Sequence, residues 1–265
     1  MKKKIYNFRF EFIFISILIL GLLLRSLNNF DQVFWNDENY SLFITDPFIT
    51  FKEFLYRHKT IDENPVIYFY LLRLFNNIFY TAETLKLSSI IFSTLTIIIS
   101  YKFFALFFNK KNTLFCVALI SLNIFLIWQA KEARIASSLV FFSLINLIIF
   151  KKFIDKNNYK NSFILFLSNL FSISYYPFLI TIIISQFFFI FVKQKKNIKE
   201  FSYTLSLTII FYLLLNIDYV LLKFFKPSHH FPLELKFFVN YFFRSFFGSI
   251  FFGGLSLIIF TISLF

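Results

Sequence analysis

The sequence predicts an all-α protein: a polytopic transmembrane helical bundle of about eight spans, with an outer-face loop that carries juxtamembrane helices. Three observations predict it. The 265 residues are 58% hydrophobic and only 15% charged, with a mean hydropathy of +0.71, which is too little charge for a soluble domain. Apolar runs of the length a bilayer demands, about 20 residues, recur along the chain. The basic residues fall between those runs, whereas Asp31, Asp37, Glu38, Asp46, Glu53, Asp62 and Glu63 crowd together and make up half of the 14 acidic residues.

Composition narrows the function classes. A net charge of +13 in a soluble protein suggests nucleic acid. Lysines placed between apolar spans suggest topology and anionic headgroups instead, so the partner is the lipid bilayer and not nucleic acid. Cys116 is the only cysteine, which excludes a disulfide within the chain and a thiolate metal site. The 47 phenylalanines follow AT-rich codon usage and read as packing and lipid contact. Four glycines and five prolines leave no room for flexible linkers, so residues 1–265 read as one transmembrane module.

Lys2, Lys3, Lys4 and Arg9 precede the first apolar run, at residues 10–27. No small-residue cleavage motif follows it, and it reads as an uncleaved span with a cytoplasmic N-terminus. The acidic loop, residues 28–83, then lies outside. Residues 66–80 are apolar but short and contain Arg73, Asn76 and Asn77. Charge decides their reading. With this stretch lying on the outer surface, spans at 84–108, 113–128, 135–150, 162–174, 177–192, 202–222 and from about 247 keep the three lysine-rich loops inside. With this stretch spanning, those loops fall outside, against the positive-inside rule. Lys223, Lys226 and Lys236 are the exception, in a loop placed outside. The expected site is thus an integral, multi-pass protein of a bacterial inner or plasma membrane. The chain stops inside an apolar run at Phe265, and a natural end and a truncation fit that ending equally.

The candidate site residues sit in four places. Asp37 and Glu38 follow the first span; one carboxylate within hydrogen-bond reach of an acceptor hydroxyl can take its proton. A solvated acidic loop is the plain alternative. Asp62 and Glu63 precede Pro65 and lead into Tyr68 and Arg73; carboxylates before a helix start suit the helix dipole, so capping is a sufficient explanation and the preferred one. Lys131, Glu132 and Arg134 interrupt an apolar stretch between two outer span ends. Ionisable groups at that depth snorkel or meet a partner, so snorkelling with a local Lys131–Glu132 pair is the plain reading; the functional one is that the Arg134 fork grips a phosphate. Tyr175 marks an outer-face turn before Pro177. His229-His230 and His58 read as solvated loop residues. No Gly-rich phosphate loop, HExxH or nucleophile elbow occurs.

Taken in order, these pieces resemble the polytopic glycosyltransferases of the GT-C fold. The branch holds the protein O-mannosyltransferases and the aminoarabinose transferase of lipid A (glycosyltransferase family 39-like). The resemblance rests on Trp35-Asn36-Asp37-Glu38 after the first span and on the Pro-started, Tyr-rich Asn64-Pro65-Val66-Ile67-Tyr68-Phe69-Tyr70-Leu71-Leu72-Arg73. It continues through Ala82-Glu83-Thr84-Leu85-Lys86 and Lys131-Glu132-Ala133-Arg134. It implies transfer of a sugar from a polyprenyl-phosphate donor, with inversion, to a hydroxyl, amine or phosphate on a glycan, lipid or protein acceptor. Asp37 would be the base and Glu38 its support, with Lys131 and Arg134 facing the donor phosphate. Asp62, Glu63, Tyr68, Arg73 and Tyr175 join the substrate-binding set. No organic cofactor is implied; some members use a divalent cation, Mg or Mn, and others do not. The chain departs from the family at Val66, Lys86, Lys131, Ala136 and Tyr175, and lacks the outer C-terminal domain common there.

Two readings from other classes compete. A transporter or flippase for lipid-linked sugars would place charges mid-span and show repeat halves; neither is seen in the sequence. A non-catalytic, truncated GT-C-like subunit fits the short chain and the altered neighbourhood of Arg134.

Overall fold

A computed structural model of the chain describes residues 2–27, 34–61, 66–78 and 80–225, with side chains from residue 9 to residue 217 apart from that of Ala82. Asp62, Glu63, His229, His230 and the span expected from residue 247 lie outside the described residues.

Every regular element among the described residues is helical. Helix α1 (Lys2–Ser26) leads to α2 (Asn36–Ile44), α3 (Phe51–Ile61) and α4 (Val66–Asn76). Then come α5 (Ala82–Phe104), α6 (Lys110–Ser121), α7 (Ile124–Ala130), α8 (Ala136–Asp155) and α9 (Tyr159–Tyr175). A 3-10 turn (Pro177–Leu179) opens α10 (Ile180–Lys193), and a second (Lys195–Asn197) opens α11 (Ile198–Phe225). Asparagines set several of the boundaries. Asn109, Asn123 and Asn158 each accept a hydrogen bond from the backbone N–H three residues on, capping α6, α7 and α9.

Among the described residues, three helical stretches are long and apolar enough to cross a membrane: Glu83–Phe104, Ala136–Asp155 and Lys195–Ile217. The bent pair α6 and α7 makes a fourth if counted as one span. The protein is therefore a helical membrane protein, with three or four candidate spans by length and composition where the sequence suggests about eight. The span expected from residue 247 lies outside the described residues; the rest of the difference has physical sources. The α1 helix is long and apolar, but three charged residues, Arg9, Glu11 and Arg25, interrupt it. With 17 residues, α9 measures about 26 Å at 1.5 Å per residue, and α10, with 14, about 21 Å, short of a hydrocarbon core of about 30 Å.

The expected span at 113–128 is broken. Helices α6 and α7 meet at 54°. A break strands carbonyl groups at the end of the first helix, and these need partners where water is scarce. Arg25 supplies them: its guanidinium donates to the carbonyls of Ser121 (2.8 Å) and Ile120 (3.4 Å), while Nε donates to Ser93 Oγ at 2.7 Å. Arg25 is fully buried. Beside it α1 and α6 touch so closely that a Cβ at Gly21 would overlap Ser121 Oγ and Ile97 Cδ1. Small residues at such contacts let helix backbones approach.

The stretch at 66–80 holds a short helix with one buried face. At 11 residues α4 is about 16 Å long, too short to span. It buries Tyr68, Phe69, Leu72 and Asn76 on one face and exposes Tyr70 and Leu74. The buried face joins Ile44 of α2, Phe54 of α3, Leu85 of α5, Ala133 and Tyr175 in one core. Helices α2, α3 and α4 thus form a cap over one end of the bundle. Asn76 Nδ2 donates to Thr45 Oγ1 at 2.7 Å, and Arg57 donates to Phe43 O at 3.0 Å, pinning the cap together.

Below the cap, α5 packs on α1, α6 and α8, and α9 on α8 and α11. A buried polar cluster joins α8 to α9: Asn146 Nδ2 donates to Asn169 Oδ1 (2.8 Å) and Ser168 Oγ (2.9 Å). The elements alternate in direction, so the two ends of the bundle differ. The cap and the loop between α7 and α8 lie at one end. Lys110, Lys111 and the lysines at 151–160 and 193–199 lie at the other, where Lys151 sits 6.0 Å from the Phe107 ring and Asn157 bonds Asn197.

Candidate functional site

The cap end brings together residues that are far apart in sequence. Asp37 is the second residue of α2 and Arg134 follows the end of α7. Asp37 Oδ2 and Arg134 Nη2 lie 3.0 Å apart. Both line a cavity of about 580 Å³ together with Phe34, Trp35 and Asn36.

Glu38 explains how this meeting is held. It is the third residue of α2, the position from which a glutamate reaches back to the residue before the helix. Its Oε2 accepts from Trp35 N at 2.9 Å, and its Oε1 accepts from Ala133 N at 2.6 Å. Only 1% of Glu38 is exposed. One oxygen caps α2 while the other grips the loop carrying Arg134, so Asp37 turns outward and Glu38 inward. Adjacent carboxylates thereby acquire different tasks. Tyr68 adds a second tie to that loop, its hydroxyl donating to Ala133 O at 3.1 Å. Tyr175, fully buried, shares a hydrogen bond with Ser138 and packs edge-on against Tyr68.

Arg134 has spare capacity. Its Nε is buried without a hydrogen bond and faces Glu132 Oε2 at 3.7 Å, beyond hydrogen-bond reach. Glu132 is 5% exposed. Burial pushes its carboxyl above the ordinary range, Arg134 opposes that, and Glu38 and Asp37 add to it. The local pair formed by Glu132 is with Arg134, where the sequence suggests Lys131. Behind the cavity wall, buried Lys86 sits 5.1 Å from the Phe34 ring.

No family model, curated protein or solved structure matches the chain.

The remaining candidates separate. Lys131 caps the C-terminus of α7, is half-buried, and is not among the residues lining the cavity. Arg73 donates to Ile49 O, stacks over Phe54 at 5.1 Å, and lines a different cavity of about 210 Å³ with Phe51, Tyr70, Leu74 and Asn77. Its guanidinium ties α4 to the turn before α3 rather than reaching Asp37. Among the described residues, no group of three or more His, Cys, Asp or Glu is placed to hold a metal ion. The sequence reading passed over Arg25, and it treated Glu132 only as a local partner for Lys131. The signal for both was available: an ionisable residue inside or beside an apolar helix needs a partner.

Proposed function

We propose that the chain is a membrane glycosyltransferase that moves a sugar from a polyprenyl-phosphate donor to an acceptor hydroxyl on the outer face, with inversion at the sugar carbon. The observation that carries this reading is the meeting of Asp37 and Arg134 in one cavity at the acidic end of the bundle. The motif order that resembles GT-C enzymes, and with it a bundle of about eight spans with the cap outside, supports the same reading. So does the position of the three lysine-rich loops at the opposite end.

The chemistry needs two groups. Asp37 takes the proton from the acceptor hydroxyl as that oxygen attacks the anomeric carbon. The bond from that carbon to the phosphate oxygen breaks, and the phosphate leaves with growing negative charge, which the Arg134 guanidinium stabilises. Asp37 pairs with the guanidinium at 3.0 Å. Donor phosphate competes for Arg134 at Nη2 and releases the base as the substrate seats. Glu38 holds the two elements in register without touching substrate.

The pairing also favours a second reading, a structural salt bridge in a non-catalytic subunit. Purified protein in bilayer discs, given radiolabelled polyprenyl-phosphate sugar and membrane acceptors, separates the two. Transfer that Asp37→Asn abolishes supports the enzyme. Absence of transfer with a folded protein and a full panel of sugars and acceptors supports the subunit. Movement of the labelled lipid between leaflets without transfer supports a flippase.

A further inference from the structure

The lysine-rich end carries a second concavity, a groove of about 650 Å³ between α9 and α11. Both helices start at that end, so both walls change chemistry in the same direction. On α9, Ser162 gives way to Phe163 and Phe166; on α11, Tyr203 and Thr204 give way to Leu207 and Phe211. Phe166 and Phe211 meet edge-on at 5.5 Å. From Tyr203 to Phe211 the helical rise is about 12 Å, long enough to hold much of one acyl chain. Phe163 is 50% and Tyr203 63% exposed, so the walls are open on this side.

The mouth is polar, with Glu200 its one charged lining residue, and the loops around it are rich in lysine. Asn157 and Asn158 line it, and Asn157 Nδ2 donates to Asn197 Oδ1 at 3.3 Å, tying together the two loops that frame it. Those loops expose Lys156, Lys160, Lys193, Lys195, Lys196 and Lys199. Opposing them are Glu200 at the mouth and Asp155, which is already paired with Lys151. Asn197 is itself 3% exposed, and its Nδ2 has no hydrogen-bond partner. We propose that this groove holds an anionic phospholipid, with its phosphate among the loop lysines and one acyl chain laid between α9 and α11. Charge complementarity selects an acidic headgroup over a zwitterionic one, and the polar-to-apolar gradient selects a lipid over a soluble phosphate.

The test uses the whole chain in bilayers of phosphatidylcholine with a minor share of phosphatidylglycerol, read by native mass spectrometry after detergent extraction. Retained phosphatidylglycerol should exceed its bilayer share by about fivefold for each lysine that engages the headgroup. Two variants should remove that enrichment: Leu207→Trp, which fills the groove at unchanged charge, and the combined Lys156→Gln, Lys160→Gln, Lys196→Gln and Lys199→Gln. Enrichment that survives Leu207→Trp but not the lysine changes is generic surface attraction and overturns the proposal, as does equal retention of both lipids. A second measurement covers misfolding of either variant. In Tyr203→Trp, phosphatidylglycerol with brominated chains should quench the new tryptophan more than brominated phosphatidylcholine does. Lack of quenching by both lipids means that another part of the chain fills the groove, and overturns the proposal too.

Discussion

Asp37 and Arg134 share a 3.0 Å ion pair although their side chains are 69% and 40% exposed. Pairs this wet contribute about 0 to 1 kcal/mol to stability. Folding energy is therefore a weak reason for the pairing, and the residues beneath it, Glu38 above all, do the holding. That division separates function from stability by experiment.

Asp37→Asn should reduce sugar transfer by about 10² to 10⁴-fold, the range for a lost general base, while thermal unfolding in detergent shifts little. Arg134→Ala should cost about 10²-fold in turnover, and Arg134→Lys should not restore it, because a point charge cannot bond two partners in one plane. A large loss of stability with Asp37→Asn would instead mark the pair as structural.

Glu38 should show the opposite pattern. Glu38→Ala leaves the N–H groups of Trp35 and Ala133 without their acceptor, at about 2 to 4 kcal/mol. Glu38→Gln should also destabilise, since one amide nitrogen would face a backbone N–H. Thermal unfolding of the two variants checks this, and a melting curve like that of the parent protein would refute the clamp.

Glu132 makes stability depend on pH. Its carboxyl titrates above the ordinary range. Between the ordinary and the raised value the native state keeps a proton that the unfolded chain has released. Its contribution is therefore complete at low pH and is lost as pH rises through the raised value. Glu132→Gln should remove that slope, so the variant should gain on the parent protein as pH increases. Unfolding midpoints compared from about pH 4 to about pH 8 test the sign.

Arg25 should act as the fastener of the broken helix. Arg25→Met removes the donors to Ile120 O and Ser121 O and should cost about 2 to 4 kcal/mol. Gly21→Leu should be at least as disruptive, since even a Cβ overlaps Ser121 and Ile97. Unfolding of both variants, with proteolysis near residue 122 as a local probe, measures the effect.

Sidedness is open to direct labelling. With Cys116→Ser as background, an impermeant maleimide should label Asn36→Cys in intact cells and Lys196→Cys only after permeabilisation. Labelling of residue 36 from the cytosol would remove the enzyme reading altogether.

Read alone, the sequence determined the membrane class, the crowding of acids at 31–63, the lysine-rich loops at 110–111, 151–160 and 193–199, and a stretch at 66–80 too short to span. Each follows from hydropathy and charge, which add up locally along the chain. It also singled out Asp37 and Arg134, without a distance between them. Only the tertiary structure decided that these two meet, that Glu38 turns inward to hold them, that Arg73 belongs to another cavity, and that residues 113–128 break around Asn123. Those outcomes depend on which distant group satisfies a buried charge or a stranded carbonyl, and a choice of partner leaves no periodic trace in the residues that make it.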